Sequence, residues 1–169
     1  EEAKDLMTAM NIGKVCSGTI HAGTAREAVM RLENEPMKVP IRMIPLIDAI
    51  IVLGRFTQDG RSVRRVVDVS ETAGIESSKV LLSQLYDFDF QDKALRRVTP
   101  SVTYRDRLSA VSGVSSKEVM DELDIRARIL RQLQKRGVKT IPELSRFCRN
   151  YYEDPKKALS SLKGAVPKK

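Results

Sequence analysis

The chain contains a single histidine, and its setting invites chemistry. His21 stands between a short β-tolerant run, Val15 to Ile20, and the tetrad Thr24-Ala25-Arg26-Glu27. That tetrad is a capping-box pattern, a hydroxyl at the N-cap and Glu three residues on, which opens a helix. In open α/β sheets, ligands gather at the carboxyl ends of strands. On position alone, His21 is either poised over such a ligand or a loop histidine capped by a backbone carbonyl. Thr19 reads as a strand hydroxyl or a ligand contact, and Thr24 as the N-cap. Arg31 lies about two turns beyond Thr24 on the same helix face, as a surface salt bridge or a phosphate contact. Arg64 and Arg65 are neighbours in an alternating run, so they point to opposite sheet faces and at most one lines a given cleft. Cys16 and Cys148 are far apart and lack metal-ligand spacing. They read as reduced thiols, and no metal site is expected.

The elements that must position these residues follow from patterning. Leu6, Met7 and Met10 mark one face of a first helix, stopped by Asn11-Ile12-Gly13. Val15 to Ile20 predicts a buried strand. The helix from Thr24 carries Ala25, Ala28, Val29 and Leu32 on one face and stops before Pro36. Pro40 and Pro45 break the next stretch into a short helix or an irregular connection. Ala49 to Phe56 predicts a strand, Gln58-Asp59-Gly60 a hairpin turn, and Ser62 to Val69 its partner. In that partner Val63, Arg65, Val67 and Val69 should face one side, and Ser62, Arg64, Val66 and Asp68 the other. Val80 to Phe90 and Ala94 to Val98 form a looser pair, giving an antiparallel meander. The last third predicts helices: one over Thr103 to Val111, one from the capping box Ser115-Ser116-Lys117-Glu118 to Arg136 and ended by Gly137, one from Thr140-Ile141-Pro142-Glu143, and one opened by Asp154-Pro155. In the second of these Val119, Met120, Leu123, Ala127, Leu130 and Leu133 should line the buried face. The tail Val166-Pro167-Lys168-Lys169 is expected to fray.

Charge divides the chain. Residues 1–100 hold 14 Lys+Arg and 14 Asp+Glu, and residues 101–169 hold 16 and 8, the whole net charge of +8. A boundary is therefore expected near Val98-Thr99-Pro100-Ser101, between domains 1–100 and 101–169. The composition, 41% hydrophobic and 31% charged, is that of a folded domain rather than a disordered or fibrous chain. The longest apolar run, Ala49 to Leu53, falls far short of a membrane span. The chain opens Glu1-Glu2-Ala3 directly in a helical pattern and is expected to be cut from something longer. Arg126, Arg128, Arg131, Lys135 and Arg136 spread around their helix, and acids precede them. Acid first and base last suits the helix dipole, so a solvated surface is favoured over a nucleic-acid stripe. Sparse aromatics argue the same way.

The run Gly18-Thr19-Ile20-His21-Ala22-Gly23-Thr24-Ala25-Arg26-Glu27-Ala28-Val29-Met30-Arg31-Leu32 resembles the histidine box of the type II/type IV secretion ATPase superfamily. That superfamily drives secretion pumps, type IV pili and the archaeal flagellum. Glu35-Pro36-Met37-Lys38-Val39-Pro40, Met43-Ile44-Pro45, Ile50-Ile51-Val52-Leu53 and Arg64-Arg65-Val66 resemble the segments that follow, in order, over roughly residues 1–100. Glu1-Glu2-Ala3 resembles the residues just after the family's second nucleotide-binding motif. The resemblance implies an α/β fold: half of a RecA-like P-loop NTPase core with an antiparallel meander, followed by an all-α C-terminal module. It implies that His21 senses the terminal phosphate in the intact enzyme. Thr19 and Arg31 would lie at the nucleotide, and Arg64 or Arg65 could act across a ring interface.

Two parts of that machinery are missing from the sequence. No Gly-x-x-x-x-Gly-Lys-Ser/Thr occurs, so no glycine-rich nest and lysine hold a triphosphate. No apolar strand ends in Asp or Glu ahead of Glu1 to hold magnesium. ATP and Mg2+ are therefore expected in an intact, hexameric parent and not in this chain alone. The implied partners are the N-terminal ATPase half, neighbouring ring subunits, a membrane platform protein and pilin- or flagellin-like substrates. The implied place is cytoplasmic, peripheral at the inner face of the membrane, and the uncovered core predicts an exposed apolar patch. The alternative is a free-standing, non-catalytic binding module whose basic C-terminal helices hold nucleic acid or a partner protein.

Overall fold

The computed structural model describes residues 2–163. The expected tail over residues 166–169 lies outside them. The chain is mixed α/β, with one four-stranded antiparallel sheet and helices before and after it. It divides into two compact units, Glu1–Leu108 and Ser109–Lys169, and the division falls inside a helix.

In the first unit, α1 (Glu2–Asn11) buries Met7 and ends in a Schellman motif. Lys14 N–H donates to Ala9 C=O at 3.0 Å and Gly13 N–H to Met10 C=O at 3.0 Å. Gly13 takes φ +85°, which favours glycine. The strand expected over Val15 to Ile20 is absent. Residues 14–22 form no strand, and Val15, Ser17, Gly18 and Thr19 are exposed. A strand exists only by pairing, and no neighbouring strand lies beside this run in the described sheet, whose order is β1-β2-β3-β4.

Helix α2 (Ala25–Glu33) buries Ala25, Ala28, Val29 and Leu32, the face its spacing assigns. After a cis Glu35–Pro36 bond and a 3-10 turn over Ile41–Leu46, the chain enters the meander. Its strands are β1 (Ala49–Gln58), β2 (Arg61–Glu76), β3 (Lys79–Asp89) and β4 (Ala94–Arg97). Asp59 and Gly60 form the β1–β2 turn with φ +50° and +74°, the pattern that matches strand twist.

Strand β2 runs well past Val69, and its alternation breaks. Val52 pairs with Asp68 and Leu53 with Val66, so Val67 is an extra residue on β2. This bulge puts Val63 and Arg65 on the side of Asp68 and sends Val69 to the other, against the strict alternation expected. The core of the unit is Met7, Val29, Leu32, Val39, Ile44 and Val80, with Ile20, Ile50 and Leu82 against it.

Helix α3 (Thr103–Ser112) carries the chain into the second unit. There α4 (Ser116–Lys135) and α5 (Ile141–Glu153) both open with complete capping boxes, at Ser115 and Thr140. Helix α6 (Pro155–Lys163) opens with Lys157 N–H donating to the Asp154 carboxylate at 2.9 Å. The core here is Ile129, Leu133, Tyr151 and Ala158, with Ile125, Leu144 and Phe147 against it. The expected face of α4 is thus partly wrong. Leu123 and Leu130 are exposed, and the row through Ile125 and Ile129 is the one covered. Helix α4 has apolar residues on two adjacent rows, and the packing in this unit selects between them.

Candidate functional site

Site geometry begins with what holds the His21 loop. Ile20, just before the histidine, packs against the core of the first unit. Two residues after it, Gly23 N–H donates to Glu27 Oε2 at 2.7 Å. Thr24 caps α2 as its sequence requires, with Glu27 N–H donating to its Oγ1 at 3.0 Å. The Glu27 carboxylate departs from the usual capping box by reaching Gly23 rather than Thr24. Its other oxygen accepts from Arg31 Nε at 3.0 Å and Nη2 at 2.7 Å. Hydrogen bonds from Gly23 and then Arg31 hold the Glu27 carboxyl below its ordinary value. The helix behind this cluster is tied to the sheet, since Arg26 Nη1 donates to Val80 C=O at 2.7 Å.

His21 is exposed and makes no hydrogen bond or ion pair among the described residues. Its ring is free to meet a ligand. Thr19 is exposed on the irregular run. Arg31 is joined to the His21 loop through Glu27, in an exposed pair with side chains 52% and 41% accessible. Arg64 and Arg65 lie in the β1–β2 hairpin, opposite Arg55 and Gly54, both exposed. The loop cluster therefore joins His21, Gly23, Thr24, Glu27 and Arg31 in one covalent and hydrogen-bonded piece. The arginine pair belongs to a different element.

Two acidic residues escaped the sequence reading. Glu27 was legible only as half of a capping box. Glu71 gave no signal at all, yet it is 1% exposed, the most buried charge of the described residues. Its carboxylate accepts from Ser101 Oγ at 2.8 Å and from the N–H groups of Val102, Thr103 and Tyr104 at 2.9, 3.2 and 3.2 Å. These are the orphan donors at the start of α3. Burial pushes the Glu71 carboxyl up, and the four hydrogen bonds outweigh it and hold it below its ordinary value. With no free face, Glu71 is a cap supplied from the sheet, not a ligand. In the second unit, Tyr151 Oη donates to both oxygens of Glu122 at 3.1 Å, and Arg126 Nε holds the same carboxylate at 2.7 Å. Arg126 also lies 5.4 Å from the ring centroid of Tyr152.

Among the described residues, no group of three or more His, Cys, Asp or Glu is placed to hold a metal ion. No described helix is long and apolar enough to cross a membrane. Around the His21 loop the polar side chains are those of His21, Thr19 and Arg31 and the Glu27 carboxylate, whose oxygens are taken by Gly23 and Arg31.

Comparison with known proteins finds relatives in the archaeon Methanocaldococcus jannaschii. Uncharacterized protein MJ1287 is 31% identical over 155 residues, which cover 90% of this chain and 56% of that protein. Uncharacterized protein MJ0781 is 28% identical over 150 residues, covering 88% of this chain and 21% of the relative. Uncharacterized protein MJ0900 is 26% identical over 143 residues, covering 81% and 26%. The chain thus spans from a fifth to just over half the length of these curated relatives. No family model matches it.

Proposed function

We propose that this chain is the C-terminal half of a ring-forming ATPase that powers secretion, pilus assembly or archaeal flagellum assembly. The observation that carries the reading is the Gly18–Leu32 run, with an exposed histidine on a loop fixed to a capped helix. Such a loop can approach a terminal phosphate once another part of the protein supplies the nucleotide. The apolar residues left uncovered in the first unit support it: Val15 is fully exposed, and Ile51 and Leu53, two apart on β1, are 60% and 71% exposed. A further layer of the same core would cover residues of this kind. In this reading residues 14–20 gain their missing strand partner from the RecA-like half that carries the phosphate-binding loop and the magnesium carboxylate. His21 then acts as sensor or polar stabiliser of the terminal phosphate. Arg64 or Arg65 faces a neighbouring subunit's nucleotide, and the second unit docks on the transport machinery at the cytoplasmic face of the membrane.

The test has two parts. The coding sequence ahead of Glu1 is expected to contain a Gly-x-x-x-x-Gly-Lys-Ser/Thr motif, and the 169-residue chain alone should not hydrolyse ATP. In the longer protein, His21→Ala should lower kcat on the order of 10²-fold, the scale of losing one preorganised donor to a developing charge. A His21→Ala protein with undiminished turnover, or a natural chain that starts at Glu1, would end the reading. The binding-module alternative would then take its place.

A further inference from the structure

We propose that Glu27 is the positioning residue of the His21 loop, and that Arg31 serves this loop through Glu27 rather than contacting a ligand. The proposal rests on the reading of His21 above for its catalytic meaning, while its geometry stands on the loop itself.

His21 has no hydrogen bond of its own among the described residues, so its place is set by its neighbours. On one side Ile20 is packed into the core. On the other, Gly23 is fastened to Glu27 Oε2. The histidine is therefore slung between two pins, one apolar and one a hydrogen bond to a carboxylate. The fit is close: a Cβ added at Gly23 would lie 3.3 Å from that same carboxylate oxygen and would push it aside by a few tenths of an ångström. Glu27 divides its two oxygens, Oε2 to the loop and Oε1 to the Nε and Nη2 of Arg31. Two donors of the Arg31 guanidinium converge on Oε1 while the Gly23 N–H holds Oε2, so both oxygens of the carboxylate are fixed in place. The platform beneath does not move easily: Ala28, Val29 and Leu32 are buried, and Arg26 is bonded to Val80 of the sheet. Rigid packing of α2 thus passes through Arg31 and Glu27 to a loop that has no regular structure of its own. In the longer enzyme, loosening this pin should lower kcat and leave KM nearly unchanged.

The test is nuclear magnetic resonance on the 169-residue chain, comparing wild type with Glu27→Gln, Glu27→Ala and Arg31→Met. In wild type the Gly23 amide proton should shift as Glu27 titrates, with a midpoint below the ordinary carboxylate range. That titration should vanish in both Glu27 variants. Glu27→Ala should speed Gly23 amide exchange about tenfold and lower the heteronuclear NOE of Gly23 and His21, since a hydrogen bond to a charged acceptor is lost. Glu27→Gln, which keeps an acceptor, should restore most of the protection. Arg31→Met should raise the midpoint of the Gly23 titration toward the ordinary range. Unchanged Gly23 exchange and His21 dynamics in Glu27→Ala, with the amides from Ala28 to Leu32 still protected, would overturn the proposal. If α2 itself frays in that variant, Arg31→Met decides, and an unmoved midpoint overturns it. The functional reading fails separately: His21→Ala without effect on ATP hydrolysis removes the sensor role and leaves the loop result standing.

Discussion

Replacing Glu71 should cost more stability than any other single carboxylate substitution in the first unit. Its side chain lies between β2 and the start of α3, and the residue is 1% exposed. In Glu71→Ala, the N–H groups of Val102, Thr103 and Tyr104 and the Ser101 hydroxyl lose their acceptor. Losing an N-cap costs about 1 kcal/mol. Hydrogen bonds to a charged group contribute about 1.5–3 kcal/mol each before water re-enters. Only the Ser101 bond is buried, and water can reach the three partly buried amides of Val102, Thr103 and Tyr104, so we expect a total of about 3–4 kcal/mol. Glu71→Gln separates charge from shape. Its amide oxygen can keep Val102 and Thr103, but its NH2 must face the Tyr104 N–H, donor against donor. About 1–2 kcal/mol is expected for that variant. The pH dependence has a definite sign. Folded Glu71 is more acidic than its ordinary value of 4.5, so between the two midpoints the unfolded chain binds the extra proton. Its contribution is complete above the ordinary midpoint and is lost as pH falls through the folded one. Urea unfolding followed by circular dichroism should show the gap between wild type and Glu71→Gln at about pH 7 and a narrowed gap at about pH 3. A Glu71→Ala cost below about 1 kcal/mol, or a gap that does not narrow in acid, would refute this account of α3.

Other perturbations probe the remaining elements. Gly54→Ala should destabilise the meander by about 1–3 kcal/mol, since its Cβ would meet Val67 Cγ1 at 2.6 Å. Val67→Ala in the same chain should recover part of that loss, and a double-mutant cycle by urea unfolding reads the coupling. Tyr151→Phe should cost about 1.5 kcal/mol in the second unit, because Glu122 loses a two-oxygen donor. Burial and then the hydrogen bond to Glu122 raise the Tyr151 phenol, and an ultraviolet pH titration should show a phenol ionising above its ordinary value that is lost in Tyr151→Phe.

Much of the chain is legible because its information is local. Thr24, Ser115 and Thr140 cap where their Glu partners at N3 say they should, since a cap is decided within four residues. Asp59-Gly60 turns the first hairpin because few other residues tolerate two positive φ values in succession. The His21 loop could be marked from Thr24 and the run around it. What sequence could not decide depends on partners remote along the chain. Val15 to Ile20 has strand chemistry, yet no described strand lies beside it, and β structure is a property of pairs. The bulge at Val67 and the buried row of α4 are choices made by packing, which one strand's alternation or one helix's periodicity leaves open. Glu71 is the sharpest case. A glutamate amid Ser70 and Thr72 reads as a solvent-facing polar stretch. Only the return of residues 101–104, some thirty positions later, brings it the donors that make a buried carboxylate stable.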